Sequence, residues 1–322
     1  MFSIILPVFN KSSHIEKCIR SIISQSFQEF EVIIINDGST DDSLNKIQNL
    51  VFEKPGCVSV ISQKNAGVST ARNNGTKLAK YNFIAFLDAD DWWEPTYLSE
   101  MKYLIETFPE AAIYGSSYNL VKNGESRLAT IGIEPSFTAG LLDYCSVYAK
   151  TLCMPLWTCA TIIRKSIFES ENGFNPILKL GEDFDLWIRV VLKYQVAFRN
   201  KPLANYNQDV EMSYRAIGKL HRPENHMLWN LEYLQEAELV NPDLKLLLDK
   251  LRIYNLFPYY ISKAYHNLTK PELAKVDWTR QPAVTKWKYS MPVWLLKVWN
   301  EWISLGSMLK QKLIRSGVKF NT

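Results

Sequence analysis

The chain has 322 residues, 47% of them apolar and 22% charged, with a formal net charge of +4 at pH 7. That length and composition imply a sizeable core, either one large α/β domain with an appendage or two domains. The charge is too small to indicate a nucleic-acid partner, and no run of about eighteen apolar residues offers a membrane span.

The five cysteines, Cys18, Cys57, Cys145, Cys153 and Cys159, form no CxxC pair and no zinc spacing. MFSIILPVFN has neither a basic n-region nor a small-residue cleavage site. Both features suit a reducing, cytoplasmic compartment.

Ser3 to Val8 is a short apolar run closed by Asn10 and reads as the first strand. Ser13 and Glu16 have the spacing of a capping box. Behind them Ile15, Cys18, Ile19, Ile22 and Ile23 recur at helical spacing. Glu31 to Asn36 is a second buried strand, followed by DGSTDDS and a helix carrying Leu44, Ile47 and Leu50. A third strand is expected at Val58 to Ser62, a helix over Thr70 to Lys80, and a fourth strand at FIAFLD. Fully apolar strands alternating with helices predict a mostly parallel sheet covered on both faces. Ligands of such sheets bind beyond the carboxyl ends of the strands, where Asn10, Asp37 and the Asp88–Asp91 cluster fall. Ala111 to Arg199 mixes strands and helices, with a strand at Ala160 to Ile163 and a helix over Phe184 to Tyr194. From about His221 the pattern is helical, with a last helix over Val293 to Ile314. The expected domains are 1–220, split into halves 1–110 and 111–220, and a helical region 221–322.

Four segments carry chemistry. In NDGSTDD an apolar strand delivers Asp37 to a tight turn, where it can accept from a base N–H or ribose hydroxyls. Ser39, Thr40 and Asp41 fit equally well as turn and N-cap residues. In KNAGVSTARN, Gly67 permits close backbone approach, and Lys64 and Arg72 are cations able to meet phosphate. In DADD three carboxylates crowd one strand end; two unit charges about 4 Å apart repel by about 4 kcal/mol at an effective dielectric of 20. A divalent cation shared by Asp88 and Asp90 offsets that repulsion, and Asp91 is free to cap the helix that follows. In GEDFDLW, Glu182 and Asp183 open a helix whose N-terminus favours ionised acids by about 0.3–1 kcal/mol, the state a general base needs.

In their order along the chain, ILPVFNKSSHIEKCIRSIISQ, EVIIINDGSTDDS, NAGVSTARNNG, FIAFLDADDWWEP and SIFESENGFNP followed by LGEDFDLWIRV resemble the inverting glycosyltransferases of family 2. The resemblance covers roughly the first 200 residues. It implies the GT-A fold, a nucleotide-diphosphosugar donor and Mn²⁺- or Mg²⁺-dependent transfer of one sugar with inversion. Carried over to this chain, Pro7 and Phe9 line the base pocket, Asp37 binds the base, Asp88 the ribose and Asp90 the metal. Arg72 lies near the nucleotide, and Asp183, with Glu182 beside it, deprotonates the acceptor hydroxyl. Trp92, Trp93 and Trp187 are either apolar walls against a sugar or core. Relatives carry an Arg-x-His-like segment that adds a metal ligand. The corresponding stretch here, ANYNQDVEMSYR, has no histidine before His221, which leaves the third ligand open and Arg215 as a diphosphate contact.

UDP is the commonest donor base in that family, and its bacterial acceptors are often glycans or lipid-linked saccharides of surface polysaccharides. The alternatives are a sugar-nucleotide pyrophosphorylase, whose Gly-rich basic loop is missing from LPVFNKSSH, and a non-catalytic nucleotide-sugar-binding scaffold. A Rossmann dehydrogenase lacks its GxGxxG here, and a processive synthase its spans and Q-x-x-R-W. The last forty residues hold Lys286, Lys288, Lys297, Lys310, Lys312, Arg315 and Lys319 against the single acid Glu301. Trp294, Trp299 and Trp302 with Lys297, Lys310, Lys312 and Arg315 form either an interfacial helix on an anionic leaflet or a helix packed on the catalytic domain with solvated lysines.

Overall fold

A computed structural model describes residues 1–51, 56–210 and 218–299. Met1–Leu247 forms one compact unit, and the chain from Leu248 forms a second.

The first strand, β1 (Phe2–Val8), is buried along its whole length, as a central strand with both faces covered must be. α1 (Ile15–Ile23) follows and buries Ile15, Cys18, Ile19 and Ile22, the i, i+3, i+4, i+7 stripe of an amphipathic helix. The Ser13–Glu16 capping box does not form: the N-cap is His14 and no side chain caps the helix. Glu16 pairs instead with Arg20 one turn on. The alternation continues through β2 (Phe30–Asn36), α2 (Ser43–Val51), β3 (Val58–Ser62), α3 (Val68–Leu78) and β4 (Phe83–Phe86). β1, β2, β3 and β4 are mutually parallel in the order β3-β2-β1-β4.

Beyond β4 the sheet becomes mixed. β5 (Trp92–Trp93), α4 (Tyr97–Thr107), β6 (Ile113–Lys122), β7 (Glu125–Leu128), β8 (Ala139–Leu141) and α5 (Tyr144–Thr151) lead to β9 (Thr161–Arg164). Then come α6 (Lys165–Ser170), α7 (Glu182–Val191) and β10 (Val196–Asn207). Among the described residues the sheet runs β3-β2-β1-β4-β9-β6-β10-β5, with β7 on β6 and β8 on β10. β9 is antiparallel to both β4 and β6. An antiparallel strand enters from the edge where its neighbour leaves, so β9 brings the segment before it, including Cys159, to the carboxyl end of β4.

The core joins β1, β2 and β4 to α1 and α4, with Phe2, Ile4, Leu6, Ile34, Leu98 and Met101 buried. After β10 the elements are helical: short 3₁₀ turns, α8 (Gln235–Val240), α9 (Pro242–Asn255), α10 (Phe257–Ile261), α11 (His266–Ala274) and α12 (Ala283–Ser290). In the second unit Arg252 is buried between Asp249 (3.7 Å) and Glu272 (3.6 Å). Residues 293–299 are helical; the rest of the expected last helix, with Trp302, Lys310, Lys312, Arg315 and Lys319, lies outside the described residues, as does Arg215. Among the described residues no helix is long and apolar enough to cross a membrane.

α3 packs on β1 and β2 through Gly75, where an added Cβ would lie 2.5 Å from Ile5 Cγ2 and 3.3 Å from Ile35 Cγ1. Overpacking of that kind costs about 1–3 kcal/mol. Gly75→Val is therefore expected to lower the melting temperature clearly, measured by circular dichroism, and an unchanged melt would show that α3 can move away from the sheet freely.

Candidate active site

β1 and β2 pair from Phe2↔Phe30 to Val8↔Asn36, so the turns after them start level. These turns bond to each other. Asn10, at φ 51°, tolerates the left-handed region better than most residues, and its side-chain oxygen accepts the Thr40 N–H at 2.8 Å. Ser43 Oγ accepts the Lys11 N–H at 2.8 Å and Asp41 the Ser12 N–H at 3.0 Å. Burial alone would raise the Asp41 carboxyl, but bonds from Ser43 and Ser12 hold it down to about 2. Ser39, Thr40 and Asp41 thus serve the turn.

Asp37 is buried. Its Oδ1 accepts from Gln63 Nε2 at 2.7 Å and from the Ala66 N–H at 2.9 Å, and its Oδ2 accepts the Gly67 N–H at 2.9 Å. The carboxylate clamps the loop that feeds α3. Gly38, at φ 76°, lets that loop come close: a Cβ there would meet Asn65 N at 2.9 Å. Lys64 is exposed on the loop, Pro7 is buried in β1, and Phe9 is exposed just past its end.

Asp88 follows β4, and its neighbours solve much of the crowding. Its Oδ1 lies 2.7 Å from Arg72 Nη2, and Arg72 Nη1 lies 3.3 Å from Glu182 Oε1. Burial disfavours the Arg72 charge, but Asp88 and Glu182 outweigh that and push its pKa above the ordinary value. The guanidinium sits over the Phe174 ring at 5.1 Å. Asn73, next along α3, holds Phe174 through both its backbone N–H and its carbonyl, at 3.0 and 2.7 Å. Asp90 Oδ2 pairs with Lys11 Nζ at 2.6 Å. Lys11 carried no role in the motif reading, although a cation three residues past a strand's carboxyl end is a usable signal.

Asp91 does not cap a helix. α4 starts at Tyr97 behind Thr96, whereas Asp91 is buried and its Oδ1 accepts the Asn207 N–H at 2.8 Å. It ties the turn after β4 to the end of β10, beside the β5–β10 pairing of Trp93 with Ala204. Burial, then Asp90 and Asp88, push the Asp91 carboxyl well above the carboxylate range. Trp93 is buried, stacks on Tyr97 at 4.2 Å and donates its indole N–H to the Cys159 carbonyl. Trp187 is wholly buried against Phe174. Both tryptophans are core rather than sugar-facing walls, while Trp92 is half-buried with Lys17 Nζ 3.0 Å from its ring centre.

α7 starts at Glu182 after Gly181, which takes a left-handed φ of 82°. The helix N-terminus does not decide the state of Asp183. Burial, then the adjacent Glu182 charge, push its carboxyl up to about 7, against a bond from the Phe184 N–H. Burial raises the Tyr118, Tyr144 and Tyr148 phenols, and the Asp183 charge adds to that in all three. Among the described residues the buried Tyr144 hydroxyl has no hydrogen-bond partner.

Two sets of donors could receive a cation. Asp88, Asp91 and Cys159 place ligand atoms within 4.8 Å of one another. That set is buried, Asp91 already accepts from Asn207, and burial raises the Cys159 thiol far above its ordinary range. A neutral thiol does not suit a hard cation. Asp88 and Asp90 keep side-chain exposures of 28% and 17% and offer carboxylate oxygens, which do. The carboxylate oxygens of Asp88 and Asp90 therefore fit a hard divalent cation better than the Asp88, Asp91 and Cys159 set does.

A parallel α/β half with carboxylates at its strand ends, joined through Arg72 to Glu182 on α7, is the arrangement of the GT-A fold. The family model "Glycosyl transferase family 2" matches residues 3–170, and the chain belongs to that family. It is 36% identical over 213 residues to the glycosyltransferase GlyA of Streptococcus pneumoniae, a match spanning 63% of this chain and 30% of GlyA. It is 29% identical over 194 residues to the Escherichia coli UDP-Glc:α-D-GlcNAc-diphosphoundecaprenol β-1,3-glucosyltransferase WfaP, across 60% of this chain and 71% of WfaP. The fold matches Staphylococcus aureus TarS (residues 1–349) in complex with UDP-GlcNAc at a TM-score of 0.68 and 19% identity, over 84% of this chain and 78% of that one.

Bonds to a charged acceptor contribute about 1.5–3 kcal/mol each, so Asp37→Ala should loosen the loop before α3. The expected result is faster amide hydrogen exchange at Ala66 and Gly67 with a lower melting temperature. Unchanged protection at both amides would remove the clamp role.

Proposed function

We propose that residues 1–220 carry out inverting transfer of one sugar from a nucleotide-diphosphosugar, a UDP-sugar, to a hydroxyl of a glycan or lipid-linked saccharide. Residues 1–110 would bind the donor, and 111–220 would supply the base and much of the acceptor site. The single observation that carries this reading is the Asp88–Arg72–Glu182 ion-pair chain, which draws the donor carboxylates and the Asp183 base into one site. The donor named for WfaP and the ligand in TarS support uridine, and the WfaP acceptor supports a lipid-linked saccharide in bacterial surface polysaccharide synthesis.

In this reading Asp37 and Asp88 orient the base and ribose, with Phe9 against the base, Pro7 beneath it, and Lys64 near the nucleotide. Arg72 acts from behind Asp88, fixing its carboxylate and that of Glu182. Mn²⁺ or Mg²⁺ bound at Asp90 and Asp88 would neutralise charge on the departing diphosphate. Asp183 takes the proton of the attacking acceptor hydroxyl. A base whose pKa lies near the operating pH combines a useful ionised fraction with real proton affinity, and burial gives Asp183 that property. The cysteines, none of which is in a disulfide among the described residues, fit action on the cytoplasmic side.

The basic, acid-free stretch from 283 to 299 carries exposed Trp287 (56%) and Trp294 (68%) among Lys286, Lys288 and Lys297. Aromatic rings with lysines are the composition of an interfacial segment, so this stretch is proposed to rest on an anionic inner leaflet.

Asp183→Asn is expected to lower kcat by about 10²–10⁴-fold while UDP binding persists. In the parent protein, metal-dependent sugar transfer should rise as pH climbs to about 7 and level off above, because the ionised carboxylate is the active form. Near-parental kcat in Asp183→Asn would sink this assignment, and absence of UDP release from any UDP-sugar with or without Mn²⁺ would favour a binding protein. Separately, Trp287→Ser/Trp294→Ser should reduce flotation with phosphatidylglycerol vesicles but leave the weak response to phosphatidylcholine unchanged; undiminished flotation counts against the interfacial role.

A further inference from the structure

The two aspartates at the mouth of β4 each have an internal cation, but the cations differ in kind. Arg72 is buried, touches two carboxylates and lies on the Phe174 ring. Lys11 reaches Asp90 with an ammonium on a flexible four-carbon stem. The Lys11 backbone is fixed: its N–H donates to Ser43 Oγ at 2.8 Å, and its carbonyl accepts the N–H groups of His14 and Ile15 at 2.9 Å each. Its side chain remains 16% exposed, and its Nζ lies 2.6 Å from an oxygen of Asp90.

A divalent cation ligated by that carboxylate would sit a few ångströms from an ammonium bound to the same group. Like charges that close repel strongly in a partly desolvated site. Entry of the cation therefore favours withdrawal of Lys11 from Asp90. The ammonium displaced from Asp90 stays at the same carboxylate edge, where a nucleoside diphosphate arriving with the cation offers it an anion.

We propose that Lys11 is a stand-in cation for Asp90, which gives way to the divalent metal and then binds the donor's diphosphate. The proposal rests on the carboxylate edge being the donor site. It makes Lys11 oppose metal binding in the free protein and favour nucleotide binding once metal is present, two effects of opposite sign.

Lys11→Met keeps the length of the stem and removes the charge. With MnCl2 alone, followed by the electron paramagnetic resonance of free Mn²⁺, the variant should bind Mn²⁺ about 3- to 10-fold more tightly than the parent. With MnCl2 saturating, calorimetric titration with UDP should show binding about 3- to 10-fold weaker. Lys11→Arg, which retains the charge, should stay near the parent in both. Weakening of both affinities in Lys11→Met would make Lys11 an anchor of its loop, and no change in either would make the ion pair incidental; each overturns the proposal. If the parent binds no Mn²⁺ and transfers sugar in EDTA, the exchange is overturned while the transferase reading stands. If the parent binds no UDP at all, the donor-site reading falls, and the exchange with it.

Discussion

The structure depends on the burial of one guanidinium. Arg72 cannot be taken out of water without anions against it, and the two it finds, Asp88 and Glu182, lie 16 and 110 residues away in sequence. Satisfying that one charge brings together α3, the end of β4 and the first turn of α7. It also seats Phe174 beneath the guanidinium, with Asn73 holding the Phe174 backbone from the same helix. The acid after β4 and the acid at the start of α7 are thus neighbours because they share a cation.

The same ion pairs answer the electrostatic question raised by three aspartates within four residues. Asp88 and Asp90 are offset by Arg72 and Lys11. Asp91 has a different solution: it is buried, bonded to a backbone N–H, and pushed toward its neutral form. Glu182 and Asp183 divide in a comparable way. Glu182 faces Arg72, whereas Asp183 is raised by burial and by the Glu182 charge.

Much of the fold was legible because its signals are local. The apolar runs of β1, β2 and β4 and the Ile15–Ile22 stripe of α1 state their own periods, and polar residues closing each strand mark the edge where a site forms. Asp37, Arg72, Asp88, Asp90, Glu182 and Asp183 stand in the motifs that carry the family resemblance, and their roles came from that resemblance. Misjudged features depended on what lay opposite. Ser13 and Glu16 have capping-box spacing, yet the chain enters α1 through His14 and the Lys11 carbonyl. Trp187 reads as either wall or core until Phe174 is seen packed on it.

By itself the sequence determined which residue types stand at each strand end, since strand and helix periods are written in consecutive side chains. Only the tertiary structure decided which charges pair. Coulombic and desolvation energies depend on distance and burial, and the partners lie far apart along the chain. Lys11 meets Asp90 across 79 residues and Asp91 meets the Asn207 N–H across 116. Burial, in turn, raised the Asp183 carboxyl to about 7, where its helix N-terminal position alone pointed to an ordinary ionised acid.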